Sequence, residues 1–501
     1  MRRMTSTTAT TVQSHLPTTT TRTLLLPFAV ALLLLLLWPV PDAVAQQPAR
    51  QGVTPVAQLR EAFQQGGLSV TPGMVSTVDW AGMYCSGHRE DAGYVNRAPY
   101  LMISVPESAG HPTAIENFKL QPDEAIVLIG PTPPPVKYFG FNAFLATRFY
   151  AEEPLGSQRK WMVATLGDAL NNATIRTIGP TPFGRLVVVI FTPDRKTDAR
   201  IRAVLQRQGY PPAVVNTVVL PSSMLKLGEG DTADELTLKL RIGMAEPGHQ
   251  PALDAYVKSA ESTVSVFRLT PTKPAAADPF PVPALRVRGT GQTEMDLMRG
   301  VERLRAGIIA ANPGMQATDI LSMPVGYEGY DYIQRHGVAG ADSRDNVFLA
   351  AGYITQFGSN QRVTLADDEF LVVYGVNHVA TGKASYASVN VYASEYAKLS
   401  IGQVFHDKFP GTAAQYLPTG EAAVDMLYAL KASRNCGSEP NCIPLRVDDC
   451  PRLKLESDTA LGFFYRMYLE PATRTGAAIQ EIVYDRAIKF SPPHSDLKGQ
   501  R

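Results

Sequence analysis

The chain has 501 residues, 45% of them hydrophobic, and its 47 Lys and Arg against 46 Asp and Glu leave a formal charge of +1. That length holds two or more hydrophobic cores at about 100–200 residues per domain. The near-zero charge and the lack of a basic block exclude nucleic acid as the main partner, because phosphate binding needs clustered Lys and Arg, and a small molecule or a glycan fits better.

Residues 1–45 read as a targeting segment. Arg2, Arg3 and Arg22 precede an apolar run from Leu24 to Val40, and Ala43-Val44-Ala45 supplies a small-residue cleavage site before Gln46. We expect a signal peptide cut after Ala45 and a secreted or extracytoplasmic protein, in the periplasm or cell envelope. The run also reaches about one membrane span, ~17–20 residues, so an uncleaved anchor is the alternative. The Ser- and Thr-rich stretch before it also has the composition of an organelle transit peptide. No second apolar stretch of that length follows, so no membrane contact is expected of the mature form.

In chain order, "VAQLREAFQQ" from Val56 has the spacing of an amphipathic helix. Strands are expected at 186–192, 214–221, 235–243 and 262–270, all β-branched runs bounded by Pro, Gly or Asp. Between them "KTDARIRAVLQRQGY" reads as a helix with Thr197 as cap and Gly209 as stop. A Pro- and Ala-rich stretch, 271–283, cannot sustain a helix or a central strand and reads as a linker. It separates an N-terminal β-rich domain, 46–270, from a C-terminal one, 284–501. The second domain opens with a helix, "TEMDLMRGVERLRAGIIAA", behind a Thr293 cap, continues through a strand at 369–375, and shows a further helix in "GEAAVDMLYALKAS" near 425.

The two halves share an order of parts. Each has an acidic pair (Asp123-Glu124, Asp368-Glu369), an apolar run, a glycine (Gly130, Gly375), a lysine (Lys137, Lys383) and an aromatic strand, and the offset from Glu to Gly is identical. The expected fold class is therefore α+β and β-rich, with two similar β-sandwich-like domains, flanking helices and internal duplication.

The stretch "LQPDEAIVLIGPTPPPVKYFGFNAFL" followed by "TLGDALNNATIRTIGPTPFGRLVVVIFTPD", residues ~119–194, resembles an uncharacterised domain family of bacterial envelope proteins. Its members carry an acidic pair, an apolar strand, a Pro-containing loop and a strand ending near Asp-Pro or Pro-Asp. The resemblance implies a jelly-roll-type sandwich and no particular chemistry; the order here is Pro193-Asp194, and the C-terminal half departs further from the pattern.

Four cysteines, Cys85, Cys436, Cys442 and Cys450, follow the targeting segment, and an even count in an exported chain points to disulfides. The turn-rich "CGSEPNC" suggests Cys436 with Cys442, leaving Cys85 for Cys450, although other connectivities stay open. A thiolate–imidazole pair of Cys85 and His88, or a zinc site, is disfavoured in that setting. Asn172 heads a glycosylation sequon.

Sharp signatures are missing. There is no G-x-S-x-G, H-E-x-x-H or P-loop, and "GTGQTE" lacks the third glycine of a dinucleotide loop, so no organic cofactor is predicted. Ca²⁺ is the one ion suggested, by Glu328, Asp331, His336, Asp342 and Asp345 in a Gly-bearing stretch, where the interleaved Arg335 and Arg344 equally suit surface ion pairs. Arg286, Arg288 and Glu294 mark where a strand enters a helix, suited to an anion or to a simple cap.

The strongest polar constellation is Tyr374, Asn377, His378, Lys383 and Tyr386. As a site, His378 is the general acid/base, Lys383 stabilises developing negative charge, Asn377 adds an amide and Tyr374 or Tyr386 orients the substrate. As a plain hairpin, Asn377 and Gly382 make the turn, Lys383 is solvated and His378 serves a backbone carbonyl. The functional expectation is an exported, cofactor-independent hydrolase or lyase acting on a small extracellular molecule; the alternative is a non-catalytic envelope or matrix protein that binds a glycan or a protein.

Overall fold

The computed structural model describes residues 54–493 except 80–81, 83–84, 87–97, 109–110, 112, 152–155, 274–275, 327, 394–399 and 448–453. The targeting segment, His88 and Cys450 lie outside the described residues. Cys436 and Cys442 form a disulfide, with Cα atoms 5.7 Å apart, and Cys85 is also disulfide-bonded.

The first half opens with helix α1 (Val56–Gln65), whose Leu59 and Phe63, four apart and so on one face, are buried. Then come β1 (Leu68–Thr77), β2 (Tyr100–Pro106), β3 (Ala125–Pro131), β4 (Phe139–Tyr150), β5 (Gln158–Thr165), β6 (Leu186–Thr192), α2 (Arg195–Arg207), β7 (Val215–Val219), β8 (Glu235–Ile242), α3 (Gln250–Thr263) and β9 (Ser265–Pro271). The sheet order is β5-β4-β8-β2-β1-β9-β3-β6-β7, with two-residue strands Ala114–Ile115 and Leu170–Asn171 added. Strand β1 belongs to two layers: Leu68 to Gly73 pair with β9, and Met74 to Thr77 with β2. Apolar side chains of both layers, such as Ile103 and Leu240 with Leu128 and Val189, share one core. Helices α1 and α2 cover the outer face of the layer containing β3 and β6.

The second half repeats this plan. Helix α4 (Met298–Ala310) is followed by β10 (Gln316–Leu321), β11 (Met323–Pro324), helix α5 (Gly329–Gln334), β12 (Asn346–Ile354), β13 (Phe370–Val376), β14 (Tyr386–Ala393), β15 (Ser400–Phe405), β16 (Leu427–Ser433), β17 (Cys442–Pro444), β18 (Leu461–Tyr468) and β19 (Arg486–Ser491). One layer runs β10-β19-β13-β16-β17 and the other β11-β12-β18-β14-β15. Strand for strand this matches β1-β9-β3-β6-β7 and β1-β2-β8-β4-β5, including a parallel pair, β16 with β17 as β6 with β7. As α1 does in the first half, α4 packs Val301, Leu304 and Ile308 on the outer face of the first layer.

The repeat extends to side chains. Glu124 and Glu369 each stand one residue before their strand, β3 and β13. In the first half, Arg268 Nη2 and Thr270 Oγ1 reach Glu124 at 2.5 Å each, and the Gln121 N–H donates at 2.8 Å. In the second, Lys489 Nζ lies 2.8 Å from Glu369, Ser491 Oγ donates at 2.6 Å and the Ala366 N–H at 2.8 Å. Burial alone would raise the Glu369 carboxyl, but Lys489 and Ser491 hold it below the usual range. Gly130 and Gly375 occupy the same place in β3 and β13, and a Cβ there would come within 2.9 Å of Val264 or 2.5 Å of Asp485.

Some local expectations are corrected. The cap of α2 is Asp194, which accepts from the Thr197 N–H at 2.7 Å; Thr197 itself lies inside the helix. The helix expected near 425 is a single 3₁₀ turn, Val424–Met426, and then strand β16, because Tyr428 and Leu430 are needed in the inter-layer core and β13 offers a full pairing edge. Strand β9 starts at Ser265 because α3, unforeseen in the sequence, runs to Thr263. The Pro- and Ala-rich segment is pinned to the first half, with the Arg195 N–H donating to Asp278 O at 2.8 Å and the Phe280 N–H to Pro193 O at 2.9 Å.

Removing the cation from a buried carboxylate leaves a charge without compensation. Arg268→Met, which strands fully buried Glu124, should cost about 3–5 kcal/mol, and Lys489→Met, beside the slightly more accessible Glu369, should cost less. Urea unfolding of the two variants beside wild type checks the order; equal or negligible losses would contradict it.

Candidate functional site

The loop after β13 holds the residues the sequence singles out, and the structure places them inside the protein. His378 is 1% exposed. Its Nδ1 lies 2.9 and 3.0 Å from the two Glu294 oxygens, and its Nε2 3.1 Å from Asp485 Oδ2. Thr381 Oγ1 and the Val483 N–H add donors to Glu294, and Tyr428 OH donates to Asp485 at 2.7 Å. Burial works against the charged ring, but Glu294 and Asp485 outweigh it and raise its pKa to about 10. The ring is therefore an imidazolium with both nitrogens spent.

Its neighbours are similarly committed. Lys383, 5% exposed, bonds Glu470 at 2.9 Å, Glu481 at 2.6 Å and Thr290 Oγ1 at 3.1 Å. The Asn377 N–H donates to Met426 O at 2.8 Å, and its Oδ1 accepts from Ala380. Tyr374 is buried under α4, where desolvation pushes its phenol up to about 12. Tyr386 packs against Phe405, His406 and Tyr468. The expectation of a His projecting into a cleft is thus corrected: Asp485 stands where the first half has Val264, His378 where it has Pro133, and the pair locks the loop to the sheet.

The acidic stretch also differs from its expected use. Glu328 and Asp331 cap α5, His336 stacks on Tyr150, Asp342 accepts from the Thr165 N–H, and Asp345 accepts from Tyr138, Asn171 and Arg286. Among the described residues no His, Cys, Asp or Glu cluster is arranged to hold a metal. Asp342, Asp345 and, from the first half, Asp168 instead join the halves. Asp168 receives Arg344 Nε at 2.8 Å and the Arg286 N–H at 2.6 Å, while Glu328 pairs within the second half with Arg344 and, at 2.7 Å, with Arg288. Gly329 fits because a Cβ would lie 1.9 Å from Thr165 O.

This seam borders a cleft of about 500 Å³ lined by both halves. Along β8, Leu238 and Leu240 enter the core while Lys239 and Arg241 face the cleft; along β18, Phe463, Tyr465 and Met467 enter the core while Phe464, Arg466 and Tyr468 face it. Tyr100, Trp161, Phe348 and Phe357 complete the aromatic wall, and Trp161 is 48% exposed. Four cations line it, Lys239, Arg241, Arg288 and Arg466, against the carboxylates Glu328 and Asp342. Burial, then the neighbouring Arg241, lowers Lys239 to about 8. Burial raises Asp342 to about 6 against the Thr165 N–H and Arg241. Sequence reading missed this site because alternating polar residues on a strand look like a solvent face; the signal present was cations alternating with leucines in "LKLR" and a cation set among aromatics in "FFYRMY".

The His378 lock has a pH signature. The ring holds its proton up to about 10 in the folded chain but only to its ordinary 6.5 when unfolded, so its stabilisation is complete below about 6.5, shrinks as pH rises and is gone above about 10. Wild-type unfolding free energy should fall from pH 7 to 10. His378→Gln should flatten that slope and, by stranding two buried carboxylates, cost about 3–5 kcal/mol at neutral pH. An unchanged slope in the variant would refute the assignment.

No protein-family model and no curated protein matches the sequence. Among solved structures, the VPA0106 protein from Vibrio parahaemolyticus aligns at 10% identity and TM-score 0.34, over 79% of this chain and 90% of that one. The tandem CBM22-1-CBM22-2 domain of Paenibacillus barcinonensis Xyn10C aligns at 7% and 0.13, over 84% and 92%. Truncated AlyQ, with CBM32 and alginate lyase domains, aligns at 7% and 0.14, over 79% and 90%.

Proposed function

We propose that this is an extracytoplasmic binding protein whose ligand, a small ring-bearing molecule of the saccharide class, lies in the cleft between the two halves. One observation carries the reading: the outer faces of both second layers turn six aromatic side chains toward a shared space of about 500 Å³, a size and composition suited to a small ligand. Flat aromatic faces pack against the C–H face of a sugar ring while polar groups at their edges take its hydroxyls. Trp161, half exposed on β5, is placed to meet the ligand first. The Cys436–Cys442 disulfide supports an oxidising compartment. Among the described residues no helix is long and apolar enough to cross a membrane.

A catalytic version, hydrolase or lyase, is favoured by one further feature. Asp342 near 6 and Lys239 near 8 bracket neutral pH on the same walls, as an acid and base pair would. Turnover of a bound saccharide, with a rate profile bounded near those values, supports this version; saturable binding without product supports the first.

The purified chain should show saturable binding to at least one member of a panel of neutral and acidic di- to tetrasaccharides, and ligand at 100 times its Kd should add about 2.7 kcal/mol to unfolding stability. Trp161→Ala should weaken that binding at least tenfold while leaving the ligand-free unfolding midpoint in place. A panel without a binder, or a binder indifferent to Trp161→Ala, would refute the reading.

A further inference from the structure

The repeat allows one arginine of the cleft to be judged against its twin. Arg241 on β8 pairs with Gly140 of β4, and Arg466 on β18 pairs with Ser388 of β14. Two residues on, those strands carry Asn142 and Asn390, and four residues on, Phe144 and Tyr392. Each guanidinium lies over equivalent rings: Arg241 is 5.9 Å from the Tyr100 centroid and 5.4 Å from Phe144, and Arg466 is 5.9 Å from Phe348 and 5.6 Å from Tyr392. Position, strand and stacking are the same.

The hydrogen bonding differs. Arg466 gives Nη1 to Asn390 Oδ1 and Nη2 to Tyr392 OH at 2.9 Å, both within its own half. At the position of Tyr392 the first half has Phe144, which offers no oxygen. Asn142 has turned its amide to Gly140 O at 2.8 Å, and its Oδ1 has no protein partner. Arg241 reaches across to Ala341 O of the second half through Nη2 alone. Among the described residues its Nε and Nη1 have no partner, although the residue is only 4% exposed. Asp342 attracts it only from beyond hydrogen-bonded ion-pair distance, and Lys239, two residues away on the same face, adds a like charge.

A buried guanidinium with two of three nitrogens unspent is costly unless something anionic completes it. We propose that Arg241 receives an oxyanion carried by the ligand, a carboxylate or a sulfate on the saccharide, and that Arg466 is its structural counterpart. The proposal rests on the cleft reading above and narrows its substrate class to acidic saccharides. Arg suits this role because its planar donor set matches such groups. The Phe144 site keeps the stacking that orients the guanidinium but removes the hydroxyl that would occupy it.

The test titrates wild type, Arg241→Gln and Arg241→Lys with three matched oligosaccharides: one bearing uronate carboxylates, its carboxyl-reduced neutral form, and the neutral form sulfated. Wild type should prefer at least one acidic form over the neutral one by tenfold or more, and the preferred acid identifies the group. Arg241→Gln should erase that preference, its acidic affinity falling at least tenfold further than its neutral one, and Arg241→Lys should retain part of it. Arg466→Gln should lower the unfolding midpoint, since its partners are internal. If wild type binds all three equally, or Arg241→Gln keeps the preference, this inference fails and the cleft reading stands; if none of the three binds, both fail. An Arg241→Gln chain that does not fold would assign the residue to stability and overturn the proposal, unless folded Arg241→Lys loses tenfold or more of the acidic preference.

Discussion

Everything about the cleft depends on the polar seam at its edge, where Asp168 of one half is gripped by Arg344 and Arg286 of the other. Facing surfaces that carry Lys239, Arg241 and Arg466 would repel without it. Asp345 has the complementary role, since it accepts from Tyr138 and Asn171 of the first half and from Arg286 near the start of its own half. Both carboxylates accept from donors across the seam, so moving one half breaks several charge-assisted bonds together. Gly329, against the Thr165 carbonyl, shows how closely the backbones approach there.

Within that frame the two halves have kept one plan and changed its details in opposite directions. The Glu124 and Glu369 clusters are nearly superimposable in chemistry, which fits a role in fixing how the first and last strands of each half meet. The loop after β3 stays rigid through its prolines. Its partner after β13 is rigid through charge: His378, Asp485 and Glu294 do with ion pairs what Pro133 and its neighbours do with ring geometry. On the cleft side the order reverses, and the second half's Arg466 is internally satisfied while Arg241 is not.

The repeat was legible in the sequence because both halves place the Glu, the apolar run and the glycine at the same spacing, and the strands 186–192 and 235–243 emerged within a residue of their observed ends. Residues near 425 misled because their apolar spacing suits a helix, while the sheet edge at β13 decided for a strand. The polar crowding of the loop at 374–386 is legible in the sequence, but the burial of His378 and Lys383 is not. Their partners, Glu294, Glu470, Glu481 and Asp485, are about 84 or more positions away, and no local pattern announces them. The cleft escaped notice for a related reason. It is made by two faces that each look like ordinary solvent faces until they are set opposite each other.

The placement of β9 between β1 and β3, and of β19 between β10 and β13, has a consequence for the order of events during synthesis. The last strand of each half is an interior strand of its first layer, so neither half can close until its final segment has left the ribosome. Its pairings reach back both to the first strand of the half and to β3 or β13 near its middle, a high contact order that slows folding. Because the segment that follows β9 is long, rich in proline and without a strand among its described residues, the first half has a window in which to close before the second half's strands, similar in pattern and able to compete for the same edges, emerge. The tether thus acts as a timing element against exchange of strands between repeats, a characteristic failure of duplicated chains.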